Sequence, residues 1–240
     1  MAKTPIWKAI ANALRSDLAE GRYAPGSKLP TEAALSERFG VNRHTVRHGI
    51  ATLVEEGLVR TRRGAGAFVA ALPTDYPISK RTRFTENLRR AGREPSRETQ
   101  SLGLRAATPS EAALLHIETG ATVLATVGRS LADGQPLSMS ESIYPHDRMP
   151  GLAAALNEQK GVTHALRCVG IADYTRASTR ITAVIADAVQ ASVLEIAEGA
   201  PLIRTSFVNV DLAGVPVEFG RTHFAGDRVT LTLEGETPPA

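Results

Sequence analysis

Residues 29–69 read LPTEAALSERFGVNRHTVRHGIATLVEEGLVRTRRGAGAFV. From residue 42 to residue 56, apolar residues recur at the spacing i, i+4, i+7 and i+8, namely at Val46, Ile50, Leu53 and Val54. This spacing predicts a helix that is buried along one side. Asn42 is a good N-cap, because its side chain accepts from a backbone N–H of the first turn, and Gly57 stands where a left-handed residue is wanted after the helix. Both ends of the helix are therefore marked.

A shorter helix is predicted just upstream. Leu35 and Phe39 supply its apolar stripe, and Gly40 with Val41 leaves a tight turn before Asn42. Two helices at this spacing indicate a helix-turn-helix unit. Apolar residues at four-residue spacing predict an earlier helix, and these are Ile6, Ile10, Leu14 and Leu18.

Downstream, residues 58–61 and 67–70 can pair as strands around a basic, glycine-containing turn at residues 62–66. Glycine permits a close approach to a phosphate backbone, and arginine neutralises it. Taken singly, a helix face with Arg43, His44 and Arg47 fits a solvated surface, and the turn fits an ordinary hairpin. In tandem, the three features predict a winged helix-turn-helix domain that binds DNA.

At this point the residues resemble a known family. The opening Leu-Pro-x-Glu, the segment Phe-Gly-Val-x-Arg-x-Thr-Val-Arg, the step Leu-x-x-Glu-Gly-Leu-Val and the close Gly-x-Gly-x-Phe-Val resemble GntR-type bacterial transcription regulators. The resemblance implies operator contacts by Arg43, Thr45 and Arg47, and a wing tip at Arg63 and Gly64 that enters the minor groove. Ala33 stands where many relatives place an arginine that reads a base. The predicted DNA-binding set is Asn42, Arg43, His44, Thr45, Arg47, Arg62, Arg63 and Gly64.

Charge is divided unevenly along the 240 residues. Residues 1–72 hold eleven Lys and Arg against six Asp and Glu, a net charge of +5, whereas the whole chain carries +3, so residues 73–240 carry −2. A basic N-terminal part is suited to attraction by DNA phosphates. No apolar run approaches the roughly 18 residues that span a bilayer, and the N-terminus lacks the apolar core of a signal peptide. A cytoplasmic protein without a membrane partner is expected.

The number and spacing of cysteines and histidines limit which disulfides and metal sites the chain can form. The single cysteine, Cys168, excludes an internal disulfide and a cysteine-based zinc cluster, and the six histidines lack metal-ligand spacing. No metal and no cofactor are expected.

Two prolines and small residues interrupt any regular element at residues 70–77. This composition predicts a linker at residues 73–78 between a DNA-binding domain at residues 1–72 and a second domain at residues 79–240.

The second domain contains an internal repeat. Residues 115–121, LHIETGA, are related to residues 194–200, LEIAEGA, and each copy continues into an alternating strand, a turn with Gly134 or Gly214 and a second strand. A strand before each helix, at residues 99–105 and 176–183, extends the repeat to strand, helix, strand, strand. The predicted fold class is α+β, with the winged domain followed by a mostly antiparallel sheet and helices on one of its faces.

Glu141 and Arg221 occupy equivalent places in the two copies, each on a strand face that otherwise looks buried. A charged side chain among inward apolar residues is costly unless it is paired or binds a ligand. Two interpretations stay open: a structural ion pair across the pseudo-twofold axis, or a polar ligand pocket at the repeat interface.

Residues 80–87, KRTRFTEN, open a helix just beyond the predicted linker. Backbone N–H groups and hydroxyls at a helix N-terminus, with Arg83 nearby, predict an anion site for phosphate-like groups. Three basic residues in four also fit a solvated or DNA-facing stretch, and this alternative stays open.

Further motifs resemble the effector domain of the HutC-like branch of these regulators, a fold shared with chorismate lyase. They are Arg83-Phe84-Thr85, LADGQP at residues 131–136, and Glu141 followed by Tyr144-Pro145. More narrowly, DYP at residues 75–77, RFTENL at residues 83–88 and TRI at residues 179–181 resemble regulators of bacterial phosphonate metabolism. The resemblance implies that Arg83 and Thr85 hold the anionic group of an effector. The remaining residues of the predicted effector site are Phe84, Arg129, Glu141, Arg180, Glu218 and Arg221, and Arg129 lies one position from the family's usual arginine.

The resemblance thus implies a homodimeric regulator that binds an inverted-repeat operator in double-stranded DNA. It would repress genes of phosphonate uptake or degradation under the control of a small anionic effector, a phosphonate or a phosphate-bearing molecule. One alternative keeps the regulator and replaces the effector by a sugar phosphate or urocanate. A second alternative is an enzyme of chorismate-lyase type, which is disfavoured because no serine, histidine and acid constellation and no catalytic residue is evident.

Overall fold

A computed structural model describes residues 5–62, 66–70, 73–158 and 161–233. The chain divides into two compact units, Met1–Leu72 and Pro73–Ala240. Each unit has a hydrophobic core of its own. No helix in the described ranges is long and apolar enough to cross a membrane.

The first unit consists of three helices and a hairpin. The helices are α1 (Ile6–Ala19), α2 (Glu32–Phe39) and α3 (Arg43–Glu55), and the antiparallel hairpin strands are β1 (Val59–Arg62) and β2 (Gly66–Val69). Helix α2 is capped by Gly40, whose φ of 64° is in the left-handed region that favours glycine, and α3 begins three residues later at Arg43. The predicted winged helix-turn-helix is confirmed.

The second unit is built on a sheet with helices on both faces. Its strands are β3 (Thr74–Pro77), β4 (Pro95–Ala106), β5 (Thr122–Ala132), β6 (Gln135–Pro145), β7 (Tyr174–Ile185), β8 (Pro201–Asp211), β9 (Pro216–Ala225) and β10 (Val229–Thr232). Its helices are α4 (Phe84–Arg90), α5 (Pro109–Leu115), α6 (Leu152–Asn157), α7 (Val162–Cys168) and α8 (Ala188–Leu194), with a short 3-10 helix at His146–Arg148.

Six strands form the main sheet in the order β4-β5-β6-β9-β8-β7, and all their pairings are antiparallel. The units β4-α5-β5-β6 and β7-α8-β8-β9 are the two copies of the repeat, and they meet where β6 pairs with β9. Helices α5 and α8 each begin with a capping box, Thr108 with Glu111 and Asp187 with Gln190. The α+β prediction and the repeat are thus confirmed. The predicted placement of the helices on one face is corrected, because α6 and α7 cover part of the second face.

The predicted linker at residues 73–78 is corrected by the structure. Residues Thr74–Pro77 form β3, which pairs in parallel with β10 near the C-terminal end of the described chain. Pro77 tolerates this place because β3 has a single paired neighbour. These residues therefore belong to the second unit.

The two faces of the main sheet have different partners. On one face Ile143, Val208 and Phe219 pack with Leu115 of α5. On the other face, at one end of the strands, Tyr144 packs with residues of α6 and α7. At the other end of the strands, Leu88 of α4 packs in one cluster with Phe224. Between these helices the second face forms the floor of a cavity.

Candidate DNA-binding face and ligand cavity

The exposed side of α3 carries predicted DNA contacts. Arg43, His44 and Arg47 are exposed, whereas Val46 and Ile50 on the opposite side are buried in the core of the first unit. Helix α3 is the second helix of the helix-turn-helix, the element that this motif places in the major groove. Its outer face therefore offers guanidinium and imidazole donors to phosphates and base edges.

Asn42 and Thr45 hold the first turn of α3. The Asn42 Oδ1 accepts from the Thr45 backbone N–H at 2.8 Å and from the Thr45 hydroxyl at 2.9 Å. The cap satisfies one of the N–H groups that a helix start leaves without a partner. In the free protein both side chains are thus engaged in fixing the direction of the recognition helix.

Arg47 is tied to α2. Its Nη2 lies 2.8 Å and its Nε 3.1 Å from the two carboxylate oxygens of Glu32. The hydrogen bonds from Arg47 hold the pKa of Glu32 below its usual value. Because the pair is exposed, it contributes little to stability. The DNA contact of Arg47 stays a prediction.

The wing falls only partly within the described residues. The backbone of Arg62 pairs with Gly66 at the end of the hairpin. The Arg62 side chain and the whole of Arg63 and Gly64 lie outside the described residues, so their predicted contacts stay a prediction.

The second unit contains a cavity of about 590 Å³. It lies on the sheet face opposite α5 and α8, and residues of α4 and α7 complete its wall. Its charged lining residues are Arg83, Arg89, Arg97, Arg167, Arg176, Glu86 and Glu218. Five arginines against two glutamates give the cavity an excess of positive charge, which suits an anionic ligand.

Hydroxyl groups of four neighbouring strands line the floor. They belong to Ser130, Ser138, Ser140, Ser142, Thr205 and Thr222. The three serines of β6 share one face because they alternate along the strand with Met139, Glu141 and Ile143. A hydroxyl both donates and accepts, so this floor can bind oxyanions and hydroxyl groups alike.

One row of the sheet joins four polar side chains. The Tyr144 hydroxyl donates to Glu218 Oε1 at 3.1 Å, and Asn209 Nδ2 donates to Glu218 Oε2 at 2.7 Å. The Asn209 Oδ1 accepts from Arg176 Nε at 3.4 Å. Burial and the negative charge of Glu218 raise the pKa of Tyr144 well above its usual value, so its hydroxyl stays a donor.

Arg176 lies in this row at the cavity wall. Its guanidinium carbon is 3.7 Å from the centre of the Phe207 ring, a stacked cation–π contact. Burial lowers the pKa of Arg176, but a guanidinium keeps its charge at any ordinary pH. The fold thus presents a fixed cation beside Glu218.

Arg83, Phe84 and Thr85 line the cavity, as does Glu218. Arg83 is not free there, because its Nη2 lies 2.5 Å from Asp173 Oδ1, while Arg81 Nη2 lies 2.8 Å from Asp173 Oδ2. The hydrogen bond from Arg83 helps to hold the pKa of Asp173 below its usual value. Two arginines on one carboxylate leave a net positive charge at this end of the cavity.

The other four residues of the predicted effector site are absent from the lining. Arg221 and Glu141 pair directly across β6 and β9, and Arg221 Nη1 lies 3.4 Å from Glu141 Oε2. The register continues this row to Arg180 through Ser206. This row lies on the sheet face that α5 and α8 cover, opposite the cavity. Of the two interpretations, Glu141 and Arg221 therefore fit the structural ion pair and not the ligand pocket.

Arg129 also contacts residues that do not line the cavity. Its Nε lies 2.7 Å from Glu98 Oε2, and its Nη1 donates to the Val193 carbonyl at 3.1 Å and lies 3.2 Å from Glu195 Oε1. These contacts join β5 to β4 and to the end of α8. The prediction that Arg129, Glu141, Arg180 and Arg221 share the pocket with Arg83 is therefore corrected.

The lining residues that sequence reasoning missed include Arg97, Arg176 and Asn209. Arg97 and Arg176 occupy equivalent places in the two copies of the repeat, since Arg97 pairs with Ser130 and Arg176 with Asn209. An arginine repeated at the same place in both copies was the signal available in the sequence. No comparable signal marks Asn209, because Ser130 stands at its place in the first copy.

Sequence comparisons match both units. The model of bacterial regulatory proteins of the gntR family matches residues 7–69, and that of the UTRA domain matches residues 90–230. The chain belongs to the GntR family of transcription regulators. Its second unit is a UTRA domain, of the HutC and PhnF type.

Similar proteins cover nearly the whole regulator. It is 40% identical over 230 residues to the HTH-type transcriptional regulator RB1450 of Rhizobium meliloti, which covers 95% of this chain and 94% of that protein. It is 32% identical over 238 residues to the probable transcriptional regulator PhnF of Escherichia coli, with 95% and 94% covered. The crystal structure of PhnF from Mycobacterium smegmatis has a TM-score of 0.68 at 26% identity and covers 95% of this chain and 99% of that chain. These relatives are regulators, not enzymes, and this GntR-family protein is a DNA-binding transcription regulator.

Proposed function

We propose that this GntR-family regulator is a repressor of phosphonate uptake or degradation genes, controlled by a small phosphonate or phosphate-bearing effector bound in the cavity of the UTRA domain. The observation that carries the effector assignment is the charge of the cavity, five arginines against two glutamates over a floor of hydroxyls. Similarity to two proteins named PhnF supports the phosphonate assignment.

The DNA-binding surface of the proposal is the outer face of α3 with Arg43, His44 and Arg47, together with the wing. Two such faces in a homodimer would read an inverted repeat, with the recognition helices about one helical turn apart. Arg43 and Arg47 would contact phosphates or base edges, and Asn42 with Thr45 would set the angle of the helix.

Effector binding changes operator affinity only if the effector has a different affinity for the DNA-bound and free conformations. The cavity is lined by several elements, α4, α7, β7 and the main sheet, so a ligand that draws Arg176 and Arg97 toward one anion would change their relative positions. Such a change in the UTRA domain is the proposed signal to the DNA-binding domain.

The test begins with duplexes selected by the full-length protein from random-sequence DNA. Fluorescence anisotropy then measures the affinity for the selected duplex with and without ethylphosphonate, inorganic phosphate, glucosamine 6-phosphate and urocanate. We expect an inverted repeat to be selected and its affinity to change with a phosphonate. Failure to enrich any sequence at physiological salt would exclude the operator-binding repressor.

Variants of the cavity separate the effector from general salt effects. In Arg97→Ala and Arg176→Ala the response to the phosphonate should be lost while the affinity for the duplex without ligand is kept. Arg105→Ala changes an arginine that pairs with Glu111 away from the cavity lining, and it serves as the control. An equal response in all three variants would contradict the cavity as effector site.

The hydroxyl floor favours one alternative, a sugar phosphate as effector of the same type of regulator. Hydroxyl groups of Ser138, Ser140 and Thr222 are suited to hydrogen bonds with sugar hydroxyls. A response to glucosamine 6-phosphate and none to ethylphosphonate in the same titration would replace the phosphonate by this class.

A further inference from the structure

Two opposite charges of the cavity, Glu218 and Arg176, lie near each other without forming a salt bridge. Glu218 accepts only from two neutral donors, Tyr144 and Asn209, and Arg176 donates only to the neutral Asn209 amide. Among the described residues, neither forms a salt bridge. Asn209 stands between them in one row of the sheet, so the carboxylate and the guanidinium are close but do not touch.

A buried carboxylate without a salt bridge has an unfavourable desolvation free energy as long as the cavity is empty. Glu218 is 4% exposed, and the main favourable compensation for a buried carboxylate is a nearby positive charge with hydrogen bonds. Each carboxylate oxygen has a second lone pair that the two donors leave available. A ligand cation in the cavity would supply the direct ionic contact that Arg176, on the far side of Asn209, does not make.

The repeat shows that the fold itself does not need this carboxylate. Ser138 of β6 stands at the place of Glu218 in the first copy, and Ser130 stands at the place of Asn209. Ser138 is as well buried as Glu218, at 2% exposed. Both copies form the same strands, so the charge at Glu218 is a property of the cavity rather than of the sheet.

We propose that the effector is a zwitterion whose ammonium group binds Glu218 and whose phosphonate or phosphate group binds the arginines of the cavity, including Arg176. This inference rests on the proposed function, because it takes the cavity to be the effector site. It narrows that proposal from an anionic ligand to an amino-substituted one.

A neutral hydroxyl at the same place of the ligand could also donate to Glu218, but it would leave the carboxylate charge uncompensated. Hydrogen bonds between two charged groups are stronger than those with one neutral partner. The amino and hydroxyl analogues of one ligand therefore distinguish the two cases.

Isothermal titration calorimetry of the full-length protein with 2-aminoethylphosphonate, 2-hydroxyethylphosphonate and ethylphosphonate makes this comparison. The three ligands share the phosphonate and differ in one terminal group. We expect the amino compound to bind roughly tenfold or more tightly than the hydroxyl compound, since a hydrogen bond to a charged group contributes that much. Equal affinity of the amino and hydroxyl compounds would overturn the inference and leave the phosphonate effector in place.

Glu218→Gln tests the assignment to this residue. The variant should lose the preference for the amino compound while it keeps its affinity for ethylphosphonate within a few-fold. Glu141→Gln removes a carboxylate of the same strand pair on the opposite face of the sheet and should keep the wild-type preference. A preference that survives in Glu218→Gln would overturn the role of Glu218, and the ligand comparison in the wild type does not depend on the folding of any variant.

If none of the three phosphonates binds, the phosphonate effector is wrong, and the zwitterion inference is decided by glucosamine 6-phosphate against glucose 6-phosphate. This pair repeats the comparison of ammonium with hydroxyl on a sugar phosphate. Tighter binding of the amino sugar, lost in Glu218→Gln, would support the inference. Equal binding, or no binding of either sugar, would overturn it.

Discussion

Gly220 shapes the cavity because it has no side chain. A Cβ at this position of β9 would lie 2.2 Å from Cζ of Phe207, whose ring stacks under the guanidinium of Arg176. The Phe207 ring therefore packs against the backbone of Gly220, and the Arg176 guanidinium stacks on the ring. A side chain at residue 220 forces Phe207, and with it Arg176, to move.

We predict that Gly220→Ala lowers the affinity for the effector by on the order of tenfold, because the stacked contact and the position of Arg176 are lost together. Calorimetric titration with the best-binding ligand of the panel measures the change. Gly103→Ala is the matched control, since a Cβ at Gly103 of β4 meets nothing within 4 Å. Wild-type affinity in Gly220→Ala would contradict the supporting role of the ring.

Only four of the eight residues predicted for the effector site line the cavity, and strand alternation explains why. Alternation along β6 correctly separated Met139, Glu141 and Ile143 from Ser138, Ser140 and Ser142. Alternation does not say which of two covered faces has a helix on it and which has a cavity. The apolar face is the one packed by α5 and α8, and the serine face, which looks solvated in the sequence, lines the cavity.

Among the elements, α3 depends on its first turn for its direction. Replacing an N-cap by alanine costs about 1 kcal/mol, which lowers the Tm of a domain of this size by roughly 4–8 °C. We predict this loss for Asn42→Ala, with a reduced operator affinity even well below the Tm. Thermal unfolding by circular dichroism and anisotropy titrations measure the two effects.

Thr31→Ala is the control, because Thr31 caps α2 by accepting from the Ala34 N–H at 3.2 Å. It should lose similar stability while the recognition helix keeps its cap. An equal loss of operator affinity in both variants would assign the effect of Asn42 to stability alone.

The capping box of α5 has a carboxylate, Glu111, at the place where the box of α8 has the neutral Gln190. Glu111 accepts from Arg105 at 2.6 Å and from the Thr108 N–H at 2.9 Å, and the hydrogen bonds from Arg105 lower its pKa to about 2. The unfolded chain binds a proton at a higher pH than the folded one, so this stability is fully present above about pH 4.5 and is lost as the pH falls toward about 2. The second copy has the neutral Gln190 at the same place.

We therefore predict that Glu111→Gln folds, since α8 has glutamine at the same place of its capping box. Its UTRA domain should lose less stability than the wild type between about pH 5 and pH 3. Thermal unfolding at a series of pH values measures the difference between the two proteins. Other carboxylates titrate in both and cancel in that difference. Parallel pH profiles would mean that Arg105 does not stabilise the ionised form of Glu111.

For the whole molecule, the sequence predicted the regular parts better than the long-range ones. Helix caps and periodicity mark α3 and α5 locally, and the repeat predicted the pairing within each copy. The pairing of β3 with β10 joins the two ends of the second unit. The four residues of β3, TDYP, include a proline that a linker would also carry. A strand held by one distant neighbour leaves no periodic signal in its own residues.

The two proposed activities are linked by thermodynamics whichever sign the regulation takes. If the effector changes operator affinity by some factor, the operator must change effector affinity by the same factor, because both paths connect the same four states. We predict that the calorimetric affinity for the effector, measured with and without saturating operator duplex, shifts by the factor by which saturating effector shifts operator affinity. A duplex of scrambled sequence at the same ionic strength is the control, since salt alone changes DNA binding. Unequal factors would mean that the ligand acts on the DNA or on the oligomeric state. If both factors equal one, neither ligand changes the affinity for the other, and the cavity does not control operator binding.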